Sequence, residues 1–242
     1  MGKAPVVEFG IYHIDAADLR VCVDGGANLW ASSYRRGYDI QSPDIVTGDF
    51  DSITEHTWSA LEGKQVNVIR TTDQDYTDLH KCLDLLVHHD KVTYDLALRE
   101  EPKATVVLGG MVGRRLDHVF ATFHVAYAMS LRADFLQRLG HLCLFDSGSL
   151  CSLLLPGDNA ISVDVAKVRR GTCGLIPLGA SSSSVSTSGL KWNLRRGDRT
   201  GFGAMVSTSN TIMEETVEVK SDIPLLFTFL LDEKLYGQEE DA

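Results

Sequence analysis

Apolar residues fall into two rhythms along this chain, and the rhythm changes a little beyond its middle. In the first part, short apolar runs of strand length (residues 6–12, 20–23, 45–46, 66–69 and 105–108) alternate with stretches of helical spacing. One such stretch covers residues 29–36. A second, from about Tyr76 to His89, carries Leu79, Cys82, Leu83 and Leu86 on one face, and a third, after His118, carries Val119, Phe123, Ala126 and Tyr127. Strands alternating with helices predict a parallel sheet covered on both faces. Only about eight residues separate the first two runs, fewer than the dozen or so that a parallel crossover needs. The first strand is therefore abbreviated, or its partner is not its neighbour.

From His141 the helical period disappears. Residues 141–145 and 149–154 flank Asp146-Ser147-Gly148, a hairpin signal. Beyond Pro156-Gly157 come short runs at 161–165, 174–178, 184–194, 204–209, 216–219 and 225–230, separated by Gly and Ser turns. That pattern predicts a small all-β sandwich. The expected fold is α/β plus all-β: a parallel-sheet α/β domain over residues 1–154, then a β-sandwich over residues 155–242.

Polar residues become informative where the predicted strands end. Gly48-Asp49-Phe50-Asp51-Ser52 follows the apolar pair Ile45-Val46, and Asp73-Gln74-Asp75-Tyr76-Thr77-Asp78 opens the second helix. Strand side chains alternate in direction, so Asp49 and Asp51 are expected to point the same way. Asp75 is expected to cap the helix, with Asp78 in its first turn. Carboxylates converging on one pocket repel one another unless a cation holds them, and an all-oxygen set suits magnesium with a substrate phosphate completing the shell. Asp24-Gly25-Gly26-Ala27-Asn28 closes another strand, where glycines let a ligand approach the backbone. Ligands of open parallel sheets bind outside the carboxyl ends of the strands. Asp24, Asp49, Asp51, Asp75, Asp78, Arg115 and Asp117 all fall there. Arg115 has two readings, a phosphate grip or an ion pair with a neighbouring acid.

Composition narrows the classes. The formal net charge of −10 argues against nucleic acid as a partner, since such a surface needs clustered Lys and Arg. No apolar stretch reaches the roughly 18 residues of a membrane helix, and the opening residues lack the apolar core of a secretory signal. The 5 cysteines show no CxxC spacing, so a reducing, cytoplasmic setting is expected. There is no GxxxxGK[ST] loop, no HExxH and no evident Ser-His-Asp set. Direct transfer by positioning and metal electrostatics is the chemistry that remains.

Read together, the motifs resemble the thiamine pyrophosphokinase family, which moves the pyrophosphoryl group of ATP onto the hydroxyl of thiamine. The matching pieces are the Asp24–Asn28, Gly48–Ser52 and Asp73–Asp78 segments, Arg115-x-Asp117, Cys173-Gly174-Leu175-Ile176-Pro177, Thr187-x-Gly189-Leu190-Lys191-Trp192-Asn193-Leu194 and Ser207-Thr208-Ser209-Asn210. They follow one another in family order from about residue 20 to residue 230. The resemblance implies an ATP- and Mg2+-binding catalytic domain, a thiamine-binding sandwich, and a homodimer with active sites at the subunit interface. It implies Asp49, Asp51 and Asp78 as metal ligands, with Asp24, Gln74, Arg115 and Asp117 lining the reaction site. Gly25, Asn28, Asp75, Thr77 and Gly110 are implied on the nucleotide, and Trp192, Asn193, Ser207, Ser209 and Asn210 on thiamine. The stretch before Asp24 is shorter than the family pattern, and Arg114 is an additional arginine; Arg115 keeps the Arg-x-Asp spacing. Two other readings compete. Asp49-Phe50-Asp51 looks like the nucleophile motif of haloacid dehalogenase phosphatases, although they carry it on the first strand. A non-catalytic thiamine- or nucleotide-binding regulator would keep the fold without needing the carboxylates.

Overall fold

The first apolar run becomes strand β1 (Val6–Phe9), and its partner is not its neighbour in sequence. It pairs in parallel with β8 (Gly157–Val163), Val6 lying opposite Ala160. The computed structural model describes residues 6–9, 17–88, 104–112 and 115–235. Residues 1–5, Gly113, Arg114 and the acidic tail therefore lie outside the described residues. The chain divides into two units, Ile11–Leu96, and Met1–Gly10 together with Ala97–Ala242.

Within Ile11–Leu96, strands β2 (Val21–Val23), β3 (Ile45–Gly48) and β4 (Asn67–Arg70) form an all-parallel sheet in that order. The central strand β3 is buried along its whole length, which is why its apolar residues run on rather than alternate. Helix α1 (Gly26–Arg35) joins β2 to β3, and α2 (Glu55–Leu61) leads towards β4. Ala27 of α1, Val46 of β3 and Leu61 of α2 form the buried centre, with Trp30, Phe50 and Trp58 packed around it. Helix α3 (Asp78–His88) buries Cys82, Leu83, Leu86 and Val87 and packs on β2 and β3. Its cap differs from expectation. Thr77 Oγ1 accepts the His80 amide at 3.3 Å, whereas the Asp75 amide donates to Asp73 Oδ1 at 2.8 Å in the turn before it.

The other unit holds the sandwich strands together with two helices. Strand β5 (Ala104–Leu108) pairs in parallel with β6 (His141–Asp146), which forms the expected hairpin with β7 (Ser149–Leu154). Positive φ at Ser147 (48°) and Gly148 (83°) matches the twist of a tight hairpin turn. Between β5 and β6 lie α4 (Leu116–Ser130) and α5 (Ala133–Leu139), which pack on each other, with α4 on β6 and β7. The remaining strands are β9 (Val168–Pro177), β10 (Ser186–Ser188), β11 (Ser207–Thr211), β12 (Thr216–Ser221) and β13 (Leu225–Leu231). One sheet has the order β11-β9-β13-β7-β6-β5, the other β1-β8-β12-β10. The pairing of β7 with β13 carries the larger sheet across position 154, so the change of pattern there marks the end of the helices and not of a sheet. Leu154, Leu175, Leu225 and Phe227 of one sheet share a core with Ile161, Val163, Val217 and Val219 of the other. Strand β12 alternates exposed and buried residues, as a strand with one wet face should.

Candidate active site

In the Ile11–Leu96 unit, the three parallel strands end at one edge, and an acidic residue or loop follows each of them. Asp24 follows β2 at φ 42°, and its amide donates to Thr47 O at 2.7 Å. Asp49 follows Gly48, the last residue of β3, whose φ is 148°. Phe50 then adopts φ 70°, which turns its ring inward to meet Trp58 edge-on at 5.4 Å between centroids. This break overrides the strand alternation expected to aim Asp49 and Asp51 alike. Asp51 instead donates its amide to Asp49 Oδ1 at 3.2 Å, and its carboxylate accepts the Ser52 hydroxyl at 2.8 Å.

One carboxylate oxygen each from Asp24, Asp49 and Asp78 lies within 4.8 Å of the other two, and Asp51 is not in this group. Asp24 is only 9% exposed, and its Oδ1 is buried without a hydrogen-bond partner. A buried, unpartnered carboxylate oxygen is costly. Around a magnesium ion with bonds of about 2.1 Å, ligand oxygens stand about 3 Å apart when adjacent and about 4.2 Å when opposite. Three hard carboxylate donors gathered on one spot suit that ion. Gln74 Nε2 donates to Asp49 Oδ2 at 3.4 Å. The Asp51 amide first, then Gln74, then the Lys81 and Arg70 charges hold the Asp49 carboxyl below its ordinary pKa.

Two further residues shape this site. Asn28, expected on the nucleotide, has its amide engaged inside the protein: Nδ2 donates to Ser52 O at 2.8 Å, and Oδ1 accepts Thr57 Oγ1 at 2.6 Å and Thr54 N at 3.1 Å. It pins the loop carrying Asp51 onto α1 and α2. Lys81, which the sequence reading passed over, reaches back from α3 to Asp78 Oδ1 and to the carbonyls of Asp73 (2.8 Å) and Thr71 (3.4 Å). Gly25 faces Ser52, with room for a β-carbon only in contact at 3.4 Å. Asp75, Thr77 and Gln74 lie on the exposed loop before α3.

In the other unit, Arg115 at the N-cap of α4 and Asp117 in its first turn form a bidentate ion pair with each other. The pairing raises the Arg115 pKa and lowers that of Asp117. Of the two sequence readings for Arg115, the ion pair is the arrangement present. Gly110 (φ 85°) approaches Thr122 so closely that a β-carbon would stand 2.9 Å from its hydroxyl. The Met111 and Val112 amides both donate to Asp146 Oδ2, at 2.9 and 2.8 Å.

The residues expected on thiamine divide into exposed and supporting ones. Trp192 is 56% exposed, and the Lys191 ammonium sits 4.5 Å from its ring centroid. Ser209, also exposed, has φ 56° in an irregularity of β11 between Ser207 and Asn210. Asn210 is 3% exposed and is spent on the backbone of Trp192, accepting its N–H at 3.1 Å and donating to its carbonyl at 2.8 Å. It also donates to the buried Ser207 hydroxyl at 3.2 Å. Asn193 Oδ1 accepts the Thr187 hydroxyl and the Leu190 amide, both at 3.1 Å. Trp192, Ser209 and Asn193 of this set are exposed, whereas Ser207 and Asn210 are buried and fix the shape around them.

Two family models match the chain: "Thiamin pyrophosphokinase, catalytic domain" over residues 12–135 and "Thiamin pyrophosphokinase, vitamin B1 binding domain" over residues 158–226. Thiamine pyrophosphokinase 1 of Oryza sativa subsp. japonica is 33% identical over 230 residues, covering 90% of this chain and 80% of the relative. The chain belongs to the thiamine pyrophosphokinase family. Thiamine pyrophosphokinase 1 of Arabidopsis thaliana is similar at 34% identity over 227 residues, covering 88% of this chain and 78% of that one. Among solved structures, yeast thiamin pyrophosphokinase shares the fold with a TM-score of 0.74 at 21% identity, covering 96% of this chain and 86% of that chain. The Candida albicans protein does so with a TM-score of 0.73 at 22% identity, covering 94% and 88%. Membership in the thiamine pyrophosphokinase family makes the chain one of a group of transferases. It also sets aside the haloacid dehalogenase resemblance of Asp49-Phe50-Asp51 as a chance likeness of a short motif.

Proposed function

We propose that this protein transfers the pyrophosphoryl group of ATP to the hydroxyl of thiamine, giving thiamine diphosphate and AMP. The observation that carries the reading is the Asp24, Asp49 and Asp78 cluster with its unpartnered Asp24 oxygen, lying within the span matched by the family's catalytic-domain model. These three carboxylates would hold Mg2+, Asp24 standing where the family resemblance implies Asp51. Bound there, the ion would supply positive charge for the phosphate oxygens.

The chain's own residues do the rest. Gln74 steadies Asp49 through its amide, and Asn28 fixes the loop bearing Asp51. Arg115, once drawn from Asp117, would carry the bidentate grip that suits phosphate. Trp192 offers an exposed aromatic face for thiamine's rings, and Ser209, next in sequence to Asn210, an exposed hydroxyl. The match of residues 158–226 to the family's vitamin B1 binding domain supports that half of the assignment. Among the described residues no helix is long and apolar enough to cross a membrane. The cysteines are all free, in keeping with a reducing cytoplasmic setting, and a homodimer is part of the same reading.

The test is incubation of the purified protein with ATP, Mg2+ and thiamine, resolving nucleotides and thiamine species, with thiamine omitted or EDTA added as controls. Thiamine-dependent AMP formed in step with thiamine diphosphate is the expected result. ADP or free phosphate released without thiamine would overturn it, and saturable thiamine binding without turnover would point to a regulator.

A further inference from the structure

Lys81 lies one turn into α3, three residues after Asp78, and an i,i+3 pair of this kind ordinarily points its lysine into solvent. Here the side chain is only 7% exposed. Helical side chains lean towards the helix N-terminus, and this one runs back under the loop of residues 71–77. Its ammonium group ends in an ion pair 2.8 Å from Asp78 Oδ1 and donates to the carbonyls of Asp73 (2.8 Å) and Thr71 (3.4 Å). Lysine is rarely buried unless its charge is compensated, so the position is a commitment of the fold.

The surroundings say what that commitment does. Asp24, Asp49 and Asp78 bring like charges within 4.8 Å of one another. Such a set destabilises the folded chain unless a cation is present. Lys81 touches one member and exerts its charge on a second, Asp49. It also ties down the loop carrying Gln74, the side chain that orients Asp49.

We propose that Lys81 is a positioning residue and resident counter-ion of the carboxylate cluster, holding Asp78 and the 71–77 loop in their working places before a metal ion arrives. The inference rests on the reading of that cluster as the metal site. Its consequence is that the folded protein does not lean on Mg2+ for stability, because a cation of its own is already in place. Removing the ammonium group leaves the more distant Arg70 charge and an external cation to offset the carboxylates. Affinity for that cation then rises, and so does the stabilisation it confers by mass action.

The experiment compares the unaltered protein with Lys81→Met and with the charge-conserving Lys81→Arg. Thermal unfolding is followed in EDTA and in millimolar Mg2+, and metal binding is read separately by loss of the free Mn2+ spin-resonance signal. Expected are a lower Tm for Lys81→Met in EDTA, a Mg2+-induced rise in Tm about twofold or more that of the unaltered protein, and a smaller, near-normal rise in Lys81→Arg. If Lys81→Met folds in neither buffer, Lys81→Gln, which keeps a donor for the carbonyls, carries the same comparison. An unchanged Mg2+ rise in the neutral variant, with normal Mn2+ binding, overturns the role of Lys81 alone. Equal Mg2+ dependence in Lys81→Arg and Lys81→Met overturns it too, by assigning the effect to packing. Absence of Mn2+ binding by the unaltered protein overturns the metal reading and this proposal with it.

Discussion

Gly48 and Asp24 are in such close contact that a β-carbon on Gly48 would lie 2.8 Å from Asp24 Cβ and 3.1 Å from its Cα. The end of β3 thereby sets the position of the carboxylate that follows β2. Gly48 also has φ 148°, a conformation other residues rarely adopt. Gly48→Ala should therefore both strain the backbone and push Asp24 out of the cluster, at a cost of about 1–3 kcal/mol. Urea unfolding should report the loss of stability. The variant should also lose Mn2+ binding at temperatures where circular dichroism shows it folded; unchanged binding would mean that Asp24 does not depend on this contact.

Asn28 makes a second prediction. Its amide bridges Ser52 O, Thr54 N and Thr57 Oγ1, so Asn28→Ala leaves several polar groups without partners. A destabilisation of about 1–3 kcal/mol is expected. Asn28→Asp retains an acceptor for Thr57 but loses the donor to Ser52, and should fall between. If Asn28 served only the nucleotide, as the motif implied, its removal would raise the KM for ATP and leave the unfolding midpoint unchanged.

How much of this was legible in the sequence differs from residue to residue. Asp24, Asp49 and Asp78 were visible because carboxylates at the ends of apolar runs mark the ligand edge of a parallel sheet. Strand alternation would aim Asp51 alongside Asp49, but it does not carry past Gly48, where two unusual φ values, at Gly48 and Phe50, end it. No single-residue pattern announces such a break. Lys81 was hidden because an i,i+3 Asp-Lys pair has the same spacing whether solvated or buried. Asn28 and Asn210 read as ligand contacts since a polar residue in a motif gives no sign of whether its amide serves a ligand or the backbone. Helices α2 and α5 span 7 residues each, too few for a helical period to register. The pairing of β1 with β8 joins positions about 150 residues apart, and no local pattern encodes it.

Acid should weaken the fold at a definite place. Asp134 is bound by Arg132 through Nε at 3.1 Å and Nη2 at 2.6 Å, and it accepts the Phe135 amide at 2.9 Å. Hydrogen bonding to Arg132 foremost, then to the Phe135 amide, lowers its pKa to about 2 from an ordinary 3.8. A carboxyl depressed in the folded state contributes stability that is complete above its unfolded pKa and disappears as pH falls through the folded one. The window is therefore about pH 4 down to about pH 2. Asp134→Asn and Arg132→Ala should each flatten the decline of Tm across it without altering the slope above pH 5. A decline as steep as in the unaltered protein would assign acid sensitivity to other carboxylates.

Trp192 and Asn210 separate ligand contact from support. Trp192 is exposed, so Trp192→Ala should change stability by no more than about 0.5 kcal/mol. If the ring stacks on thiamine, the KM for thiamine should rise about tenfold, or about 1.4 kcal/mol. Asn210 is buried and holds both backbone polar groups of Trp192, so Asn210→Ala should cost about 1–3 kcal/mol of stability. It should also raise the thiamine KM, because Trp192 loses its fixed orientation. The two effects on KM should not add. Once the ring is gone, releasing its backbone has nothing further to misplace, and the double variant should match Trp192→Ala in KM while matching Asn210→Ala in stability. Additive effects on KM would instead mean that the Asn210 amide reaches thiamine itself, which would require it to leave the Trp192 backbone when the substrate binds.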